Sequence, residues 1–278
     1  MGHDKLRKFA ENETFNCLLQ PSAQEVLADG YFHLRDHEIK GNWNKRMFAK
    51  DQPIVLELGC GKGEYTIDLA RRNPQFNYIG VDIKGARLWK GAKFAHEHSL
   101  GNVAFLRTRI EFITAFFAPG EVSEIWLTFS DPQMKSENSR LSSPLFLERY
   151  RRFMKPGGIV HLKTDSRFLH EYTKAVCAAN SLQVLACTAD LYSTPRESLL
   201  TAEPAAGLEN SAVDALYEVQ TFYERMFLQQ GYKITYMSFI IDHEGEYVHP
   251  EFDEEYWRGV EGPRRSFDHQ PTKGHKPE

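Results

Sequence analysis

The amino-acid sequence predicts an α/β fold, in which a mostly parallel central sheet is covered by helices on both faces. Short apolar segments alternate with helical patterns through most of the 278 residues. Such alternation is typical of parallel strands joined by helical crossovers. Three glycines, Gly59, Gly61 and Gly63, follow the first apolar segment, and polar residues follow each of the next four apolar segments. Both observations favour a ligand site at the carboxyl edge of the sheet.

Five apolar segments predict the parallel strands. They are residues 54–58, 77–82, 102–107, 124–129 and 159–163. Helical patterns follow these strands over residues 64–73, 84–98, 110–117, 143–154 and 167–180. Proline or glycine follows three of these helices, which is typical of a helix end. The regular order predicts one domain over residues 51–241.

The segments around this regular part are predicted from weaker patterns. A sixth strand, a loop, a helix and a closing strand are predicted in that order over residues 184–187, 193–210, 212–230 and 232–241. Residues 1–50 are polar with scattered aromatic residues, and we expect them to form an extension before the core. Residues 242–278 are acidic, and we expect an irregular tail.

Composition excludes several classes of protein. No run of 18 apolar residues is present, and the amino terminus lacks the apolar segment of a signal peptide. The four cysteines show no CxxC spacing, which indicates reduced thiols in a cytoplasmic protein rather than disulfides or a zinc site. The sequence therefore predicts a cytoplasmic protein with no membrane contact and no metal.

The net charge of −4 is unevenly distributed along the chain. Residues 242–278 contain 10 acidic and 5 basic residues, which leaves a balance of +1 for the other 241 residues. For binding to an acidic partner, local basic clusters then matter more than the net charge of the whole chain. Two such clusters lie at residues 84–93 and 149–155, so the composition is compatible with a nucleic-acid partner.

The glycine motif differs from that of a dinucleotide-binding protein. The dinucleotide fingerprint has a third glycine at its sixth position, where this sequence has Glu64. Gly-x-Gly-x-Gly behind Glu57 instead resembles the adenosylmethionine loop of class I methyltransferases. Asp82 ends the second predicted strand, 19 residues after Gly63, which suits an acid that accepts hydrogen bonds from ribose hydroxyls.

Three further strand ends carry polar residues. They are Thr108-Arg109, Ser130-Asp131-Pro132 and Thr164-Asp165. Pro132 has a fixed φ and biases Asp131 toward an extended backbone. Because the carboxyl ends of parallel strands meet at one edge, we expect these residues to face the glycine loop. Asp131 is then interpreted as an acid that binds the substrate.

Four motifs, in the same order, resemble those of the tRNA (guanine-N7-)-methyltransferases of the bacterial single-subunit type. The segment IWLTFSDPQMK at residues 125–135 resembles the family's apolar strand, Pro-Asp-Pro-Trp and basic run. Leu162-Lys163-Thr164-Asp165 matches its Lys-Thr-Asp, and Thr221-Phe222-Tyr223-Glu224 matches its Thr-x-Tyr-Glu. RKFAENETF at residues 7–15 resembles its opening segment. The resemblance covers roughly residues 5–241.

The resemblance implies a Rossmann-like class I methyltransferase domain over residues 51–241, with S-adenosyl-L-methionine as cofactor and tRNA as partner. It implies methyl transfer to N7 of a guanine in the tRNA variable loop, with Asp131 as the catalytic acid. The expected cofactor-binding residues are Glu57, Gly59, Gly61, Gly63, Asp82, Arg109 and Asp131. The expected substrate-binding residues are Lys135, Asp165, Thr221, Phe222, Tyr223 and Glu224.

Two positions depart from the family pattern. Arg109 stands where the family has an acid that approaches the adenine, and the basic run after Asp131 is reduced to Lys135 and Arg140. Further RNA contacts are therefore expected from the amino-terminal extension and the two basic clusters. A methyltransferase that acts on a small molecule or a protein, and a non-catalytic RNA-binding protein of the same fold, stay as alternatives. The patterns are compatible with a monomer or a homodimer.

Overall fold

A computed structural model describes residues 3–28, 33–199 and 210–262. The strands of its central sheet are β1 (Leu18–Leu19), β2 (Ile54–Leu58), β3 (Asn77–Asp82), β4 (Val103–Arg107), β5 (Val122–Thr128), β6 (Met154–Thr164), β7 (Val184–Thr188) and β8 (Thr235–Ile240). They lie in the order β1-β4-β3-β2-β5-β6-β8-β7. The pairs among β1 to β6 are parallel, whereas β8 is antiparallel to β6 and β7. The predicted mostly parallel sheet is confirmed.

Helices cover both faces of this sheet. They are α1 (His3–Asn12), α2 (Ala23–Val26), α3 (Trp43–Arg46), α4 (Glu64–Arg72), α5 (Gly85–Glu97), α6 (Pro144–Tyr150), α7 (Arg167–Ala179), α8 (Asn210–Glu218), α9 (Phe222–Gln229) and α10 (Glu254–Glu261). Short 3-10 helices lie at Ile110–Ala115, Glu137–Ser139, Leu191–Ser193 and Arg196–Leu199.

Strand β2 shows why the central segments are apolar on both faces. All five of its residues are buried. Val55 belongs to the hydrophobic cluster that contains Leu69 of α4, whereas Leu56 belongs to the cluster that contains Leu169 of α7. A strand covered by helices on both faces has no solvent side, so its sequence is mostly apolar. In β2 the buried Glu57 is the exception.

The amino-terminal segment adds a strand that was not predicted. Strand β1 pairs in parallel with β4, with Leu18 opposite Phe105. The preceding helix α1 is fastened to α5, because the side-chain amide of Asn12 donates to the Gly85 carbonyl at 3.0 Å. This segment therefore covers one edge of the sheet next to the helix that follows Asp82.

Two predicted helix boundaries were wrong. The helix predicted over residues 212–230 is interrupted between α8 and α9, because the Thr221 hydroxyl accepts a hydrogen bond from the Glu224 N–H at 3.2 Å and caps a new helix. The helix predicted over residues 143–154 ends at Tyr150. Strand β6 begins at Met154, so the predicted turn at residues 155–158 lies within a strand whose register with β5 shifts.

The expectation of an irregular carboxyl-terminal tail was wrong for α10. Its first turn is capped by Asp253, whose carboxylate accepts a hydrogen bond from the Tyr256 N–H at 2.9 Å. Residues 200–209 of the predicted loop and residues 263–278 of the tail lie outside the described residues. Within the described ranges, no helix is long and apolar enough to cross a membrane.

Candidate functional site

A cavity of about 1030 Å³ opens at the carboxyl ends of strands β2 to β6. Open α/β sheets bind their ligands at this edge. Six of the predicted site residues, one or more from each strand end, line the cavity: Gly59, Asp82, Arg109, Asp131, Lys135 and Asp165. The fold therefore brings together residues that the sequence places after five different strands.

The glycine loop after β2 adopts a backbone conformation that other residues rarely adopt. Gly59, Gly61 and Gly63 have φ angles of +79°, +56° and +71°. Gly63 caps α4 and also lies against Phe105, where a Cβ would come within 2.6 Å of a ring carbon. The Gly59 N–H donates to the carbonyl of Val81 at 2.8 Å, which holds the loop against β3. The backbone at Gly59 is thereby exposed to the cavity.

Asp82 ties this loop to the end of β3. Its Oδ2 accepts a hydrogen bond from the Gly61 N–H at 3.0 Å, and its Oδ1 accepts one from the Lys84 N–H at 2.7 Å. A carboxylate offers about four lone-pair sites, so each oxygen retains capacity for a ligand hydroxyl. This geometry supports the predicted role of Asp82 toward a ribose.

Glu57 lies beneath the loop in β2 and does not line the cavity. One carboxylate oxygen accepts hydrogen bonds from the Thr66 N–H at 2.8 Å and from the Thr66 hydroxyl, and the other from the Thr128 hydroxyl. Burial raises the pKa of Glu57 to about 7, although these hydrogen bonds act in the opposite direction. In this structure Glu57 joins α4 to β5, and its direct contact with a cofactor stays a prediction.

The loop after β5 carries Asp131 and is strained on both sides of it. Phe129 has a φ of +52° and Gln133 a φ of +47°, conformations that cost a non-glycine residue about 1–3 kcal/mol each. Oδ1 of Asp131 accepts a hydrogen bond from the Gln133 N–H at 2.9 Å. The Ser130 hydroxyl oxygen is buried at the cavity and has no hydrogen-bond partner among the described residues. Strain of this kind persists only where the surrounding structure imposes it.

Comparisons with known proteins agree with this geometry. Residues 51–216 match the family model described as "Putative methyltransferase". The chain is 43% identical over 274 residues to a tRNA (guanine-N(7)-)-methyltransferase of Bacteroides thetaiotaomicron. The aligned residues cover 99% of this chain and 98% of that relative. It is 47% identical over 243 residues to a tRNA (guanine-N(7)-)-methyltransferase of Christiangramia forsetii, and the aligned residues cover 86% of this chain and 98% of that relative.

The chain belongs to the tRNA (guanine-N(7)-)-methyltransferase family. The family resemblance predicted from the four sequence motifs is thus confirmed.

A solved structure shows the same fold. The 16S rRNA methyltransferase KamB matches with a TM-score of 0.50 at 16% identity and covers 74% of this chain and 94% of that chain. At this level of identity the similarity concerns the fold alone. It confirms the predicted Rossmann-like methyltransferase architecture.

The Thr-x-Tyr-Glu motif of the family has a structural role at one of its positions. Glu224 is fully buried, and its Oε1 lies 2.8 Å from Nζ of Lys163 and accepts a hydrogen bond from the Tyr192 hydroxyl at 2.6 Å. With Thr221 it also forms the capping box of α9. Glu224 was expected to bind substrate, but the structure leaves it no accessible surface for an RNA contact.

The two aromatic residues of the same motif are exposed. Phe222 and Tyr223 lie at the surface beside the glycine loop, with Nζ of Lys62 at 4.7 Å and 5.8 Å from their ring centroids. The Phe222 N–H donates to the Glu64 carboxylate at 3.1 Å, which fixes the start of α9 against the start of α4. Their role in substrate binding stays a prediction.

Basic residues near the cavity differ in exposure. Lys84 and Arg87, together with Lys135, line the cavity. Arg140 is completely buried, and its guanidinium lies 4.3 Å from the ring centroid of Tyr172. The expectation that Arg140 extends a basic RNA-binding run was therefore wrong.

Arg109 lines the cavity where the family has an acid. Its guanidinium lies 3.3 Å from the Glu111 carboxylate and 5.8 Å from the ring centroid of Phe112. The guanidinium is thus a cation beside Thr108 in the cavity wall, and the residues that contact it, Glu111 and Phe112, follow directly in the chain.

Sequence reasoning missed the apolar part of the cavity. Leu141, Phe146 and Phe227 line it, and Phe227 of α9 lies with its ring centroid 6.1 Å from that of Phe129. No motif marks these residues, since Phe146 and Phe227 lie in helices, where an apolar residue is typical of core packing, and Leu141 lies in the turn before α6. Among the described residues, no group of three or more His, Cys, Asp or Glu side chains could hold a metal ion.

Proposed function

We propose that this protein transfers a methyl group from S-adenosyl-L-methionine to N7 of a guanine in the variable loop of tRNA, in the cytoplasm. The position of Asp131 carries the proposal, because this carboxylate lies in the same cavity as the glycine loop and Asp82. The two relatives described above support tRNA as the substrate.

The residues around the glycine loop fit the cofactor. The backbone at Gly59 is open to the cavity, Asp82 retains acceptor capacity for ribose hydroxyls, and the buried hydroxyl of Ser130 has an unused donor. When bound, the cofactor supplies an electrophilic methyl group on a sulfonium. The chain then has to position the methyl acceptor and exclude other nucleophiles.

Guanine is an acceptor that needs no catalytic base. Its N7 carries a lone pair that is unprotonated at neutral pH, so the task of the protein is to hold N7 in line with the methyl carbon. Asp131 accepts hydrogen bonds from guanine N1–H and from the amino group, a pair of donors that adenine does not present. The same carboxylate stabilises the positive charge that develops in the ring.

Folded RNA has to be brought to this cavity with its base accessible. A base inside a stack must be turned outward before it can enter, as in other enzymes that modify bases. Lys84, Arg87 and Lys135 line the cavity and are suited to contact the phosphates on either side of such a base. Affinity for tRNA should therefore fall steeply as the salt concentration rises.

Methyl transfer to unmodified tRNA, followed by nucleoside analysis, tests the proposal. We expect 7-methylguanosine as the product, and no product when the variable-loop guanine is replaced by adenine. Binding of both cofactor and tRNA without transfer would indicate a non-catalytic RNA-binding protein. Binding of the cofactor without affinity for tRNA at low salt would favour a methyltransferase for a small molecule or a protein.

A further inference from the structure

The carboxyl-terminal segment, residues 246–262, reaches back to the loop that carries Asp131. Arg258 of α10 donates from both Nε and Nη2 to the carbonyl oxygen of Met134, at 3.1 Å and 2.5 Å. Met134 directly follows Gln133, the second strained residue of that loop, and lines the cavity. A guanidinium that donates twice to one carbonyl fixes the direction of that peptide group.

Two further contacts hold the residues just after this loop. Nδ1 of His249 lies 3.0 Å from the Glu137 carboxylate, which also accepts a hydrogen bond from the Tyr172 hydroxyl. The Glu254 carboxylate lies 2.7 Å from Nη2 of the buried Arg140. The carboxyl-terminal segment thus touches the chain at three successive points after Asp131.

The carboxyl-terminal segment that supplies these contacts is itself anchored on α7. Glu261 accepts a hydrogen bond from the Phe168 N–H at 2.9 Å, and Phe252 packs edge-on against the ring of Phe168 at a centroid distance of 5.4 Å. Glu254 also pairs with Arg258. Because α7 begins just after Asp165, α10 connects the ends of β5 and β6, where Asp131 and Asp165 of the cavity lie.

We propose that α10 holds the strained loop of residues 129–135 in the conformation that presents Asp131 to the base, with Arg258 as the positioning residue. This inference rests on the proposed function, since it concerns the orientation of the guanine. Arg258 is not among the residues that line the cavity, so it acts through the Met134 carbonyl. Without this support, Phe129 and Gln133 can leave their left-handed backbone conformations. The carboxylate of Asp131 would then no longer point toward the base.

The substitution Arg258→Met tests the role, with Arg258→Lys as the conservative variant. Methionine removes both donors, whereas an ammonium group can still donate to the carbonyl. Arg46→Met is the matched control, because Arg46 is similarly exposed and pairs with Glu38 at the surface, away from the loop. Hydrogen–deuterium exchange of peptides over residues 129–139 reports on the loop, and single-turnover methylation of saturating tRNA reports on the reaction.

We expect Arg258→Met to accelerate exchange in the loop peptides but not in peptides of β2 and β3, and to slow methyl transfer about tenfold or more. Arg258→Lys should recover part of the protection and part of the rate, and Arg46→Met should leave both unchanged. Loop exchange that is unchanged in Arg258→Met, or raised equally across the sheet, would overturn the inference. If the wild-type protein methylates no tRNA, the proposed function fails, while the exchange result still decides the role of Arg258.

Discussion

The two halves of the cavity are held together in different ways. At the ends of β2 and β3, the glycine loop and Asp82 are joined by hydrogen bonds between residues about twenty positions apart, such as that from Gly61 to Asp82. At the ends of β5 and β6, the supports come from far along the chain. Arg258 reaches Met134 over 124 positions, and Glu254 reaches Arg140 over 114.

This difference has an energetic consequence. The glycine loop and Asp82 depend on backbone geometry and a few local hydrogen bonds, so substitution of Asp82 should alter ligand affinity more than folding. The half formed by β5 and β6 depends on buried charges whose partners lie in α9 and α10. Removal of one partner there leaves an uncompensated charge, which is costly in a protein interior.

The largest effect is expected for the buried ion pair between β6 and α9. Lys163 and Glu224 are both fully buried, and Nζ of Lys163 also donates to the Leu216 carbonyl at 2.7 Å. Burial lowers the pKa of Lys163, and Glu224 acts in the opposite direction. Lys163→Met should lower the free energy of unfolding by about 3–5 kcal/mol, measured by urea denaturation.

The double variant Lys163→Met/Glu224→Gln should recover part of that loss, since it removes both charges. Normal stability in Lys163→Met, combined with loss of tRNA affinity, would instead restore Glu224 as a substrate contact.

The next effect concerns the pH dependence of stability in the local half. Glu57 ionises near 4.5 in the unfolded chain but at about 7 in the folded protein, because it is buried. Between these values the folded state binds one more proton than the unfolded state, so stability falls as pH rises, by up to about 3 kcal/mol.

Glu57→Gln mimics the protonated acid, because its amide oxygen can accept from Thr66 and its NH2 group can donate to the Thr128 hydroxyl oxygen. The free energies of unfolding of the wild type and of Glu57→Gln should agree near pH 4.5. As pH rises toward 8, Glu57→Gln should become the more stable protein. If the free energy of unfolding changed with pH in the same way in both proteins, Glu57 would ionise normally in the folded protein.

The third effect concerns the reaction itself. Asp131→Asn should slow single-turnover methylation of tRNA by about a hundredfold or more, because an amide supplies one acceptor and places a donor against a guanine donor. The substitution is nearly isosteric, so the melting temperature should be close to that of the wild type. Near-normal rates in the folded variant would assign the base contact to Asp165 instead.

The smallest effect is expected at the cofactor. Asp82→Ala should weaken S-adenosyl-L-methionine binding at least about tenfold in calorimetry, the scale of one charge-assisted hydrogen bond. The free energy of unfolding should change less than in Lys163→Met, since the bonds that Asp82 accepts from the Gly61 and Lys84 N–H groups are local. Unchanged affinity would remove Asp82 from the cofactor site.

The same contrast explains what the sequence could predict. Strands β2 to β6, the glycine loop and Asp82 follow from short patterns, because their contacts are local or arise from parallel pairing. The burial of Arg140 and Glu224 could not be predicted, since a charged residue is usually exposed and the partner that permits its burial lies far along the chain. Helix α10 escaped prediction for a related reason, because the segment that carries it is held by tertiary contacts, such as those of Phe252 with Phe168 and Tyr172.

The most direct test of the account uses tRNA in which the target guanosine is replaced by 7-deazaguanosine. This base lacks the N7 lone pair but keeps the N1–H and amino donors that Asp131 is proposed to bind. We predict that the modified tRNA competes with ordinary tRNA for the protein and accepts no methyl group. Methylation of the modified base, or failure of the modified tRNA to compete, would contradict the proposed acceptor atom or the proposed recognition of the guanine edge.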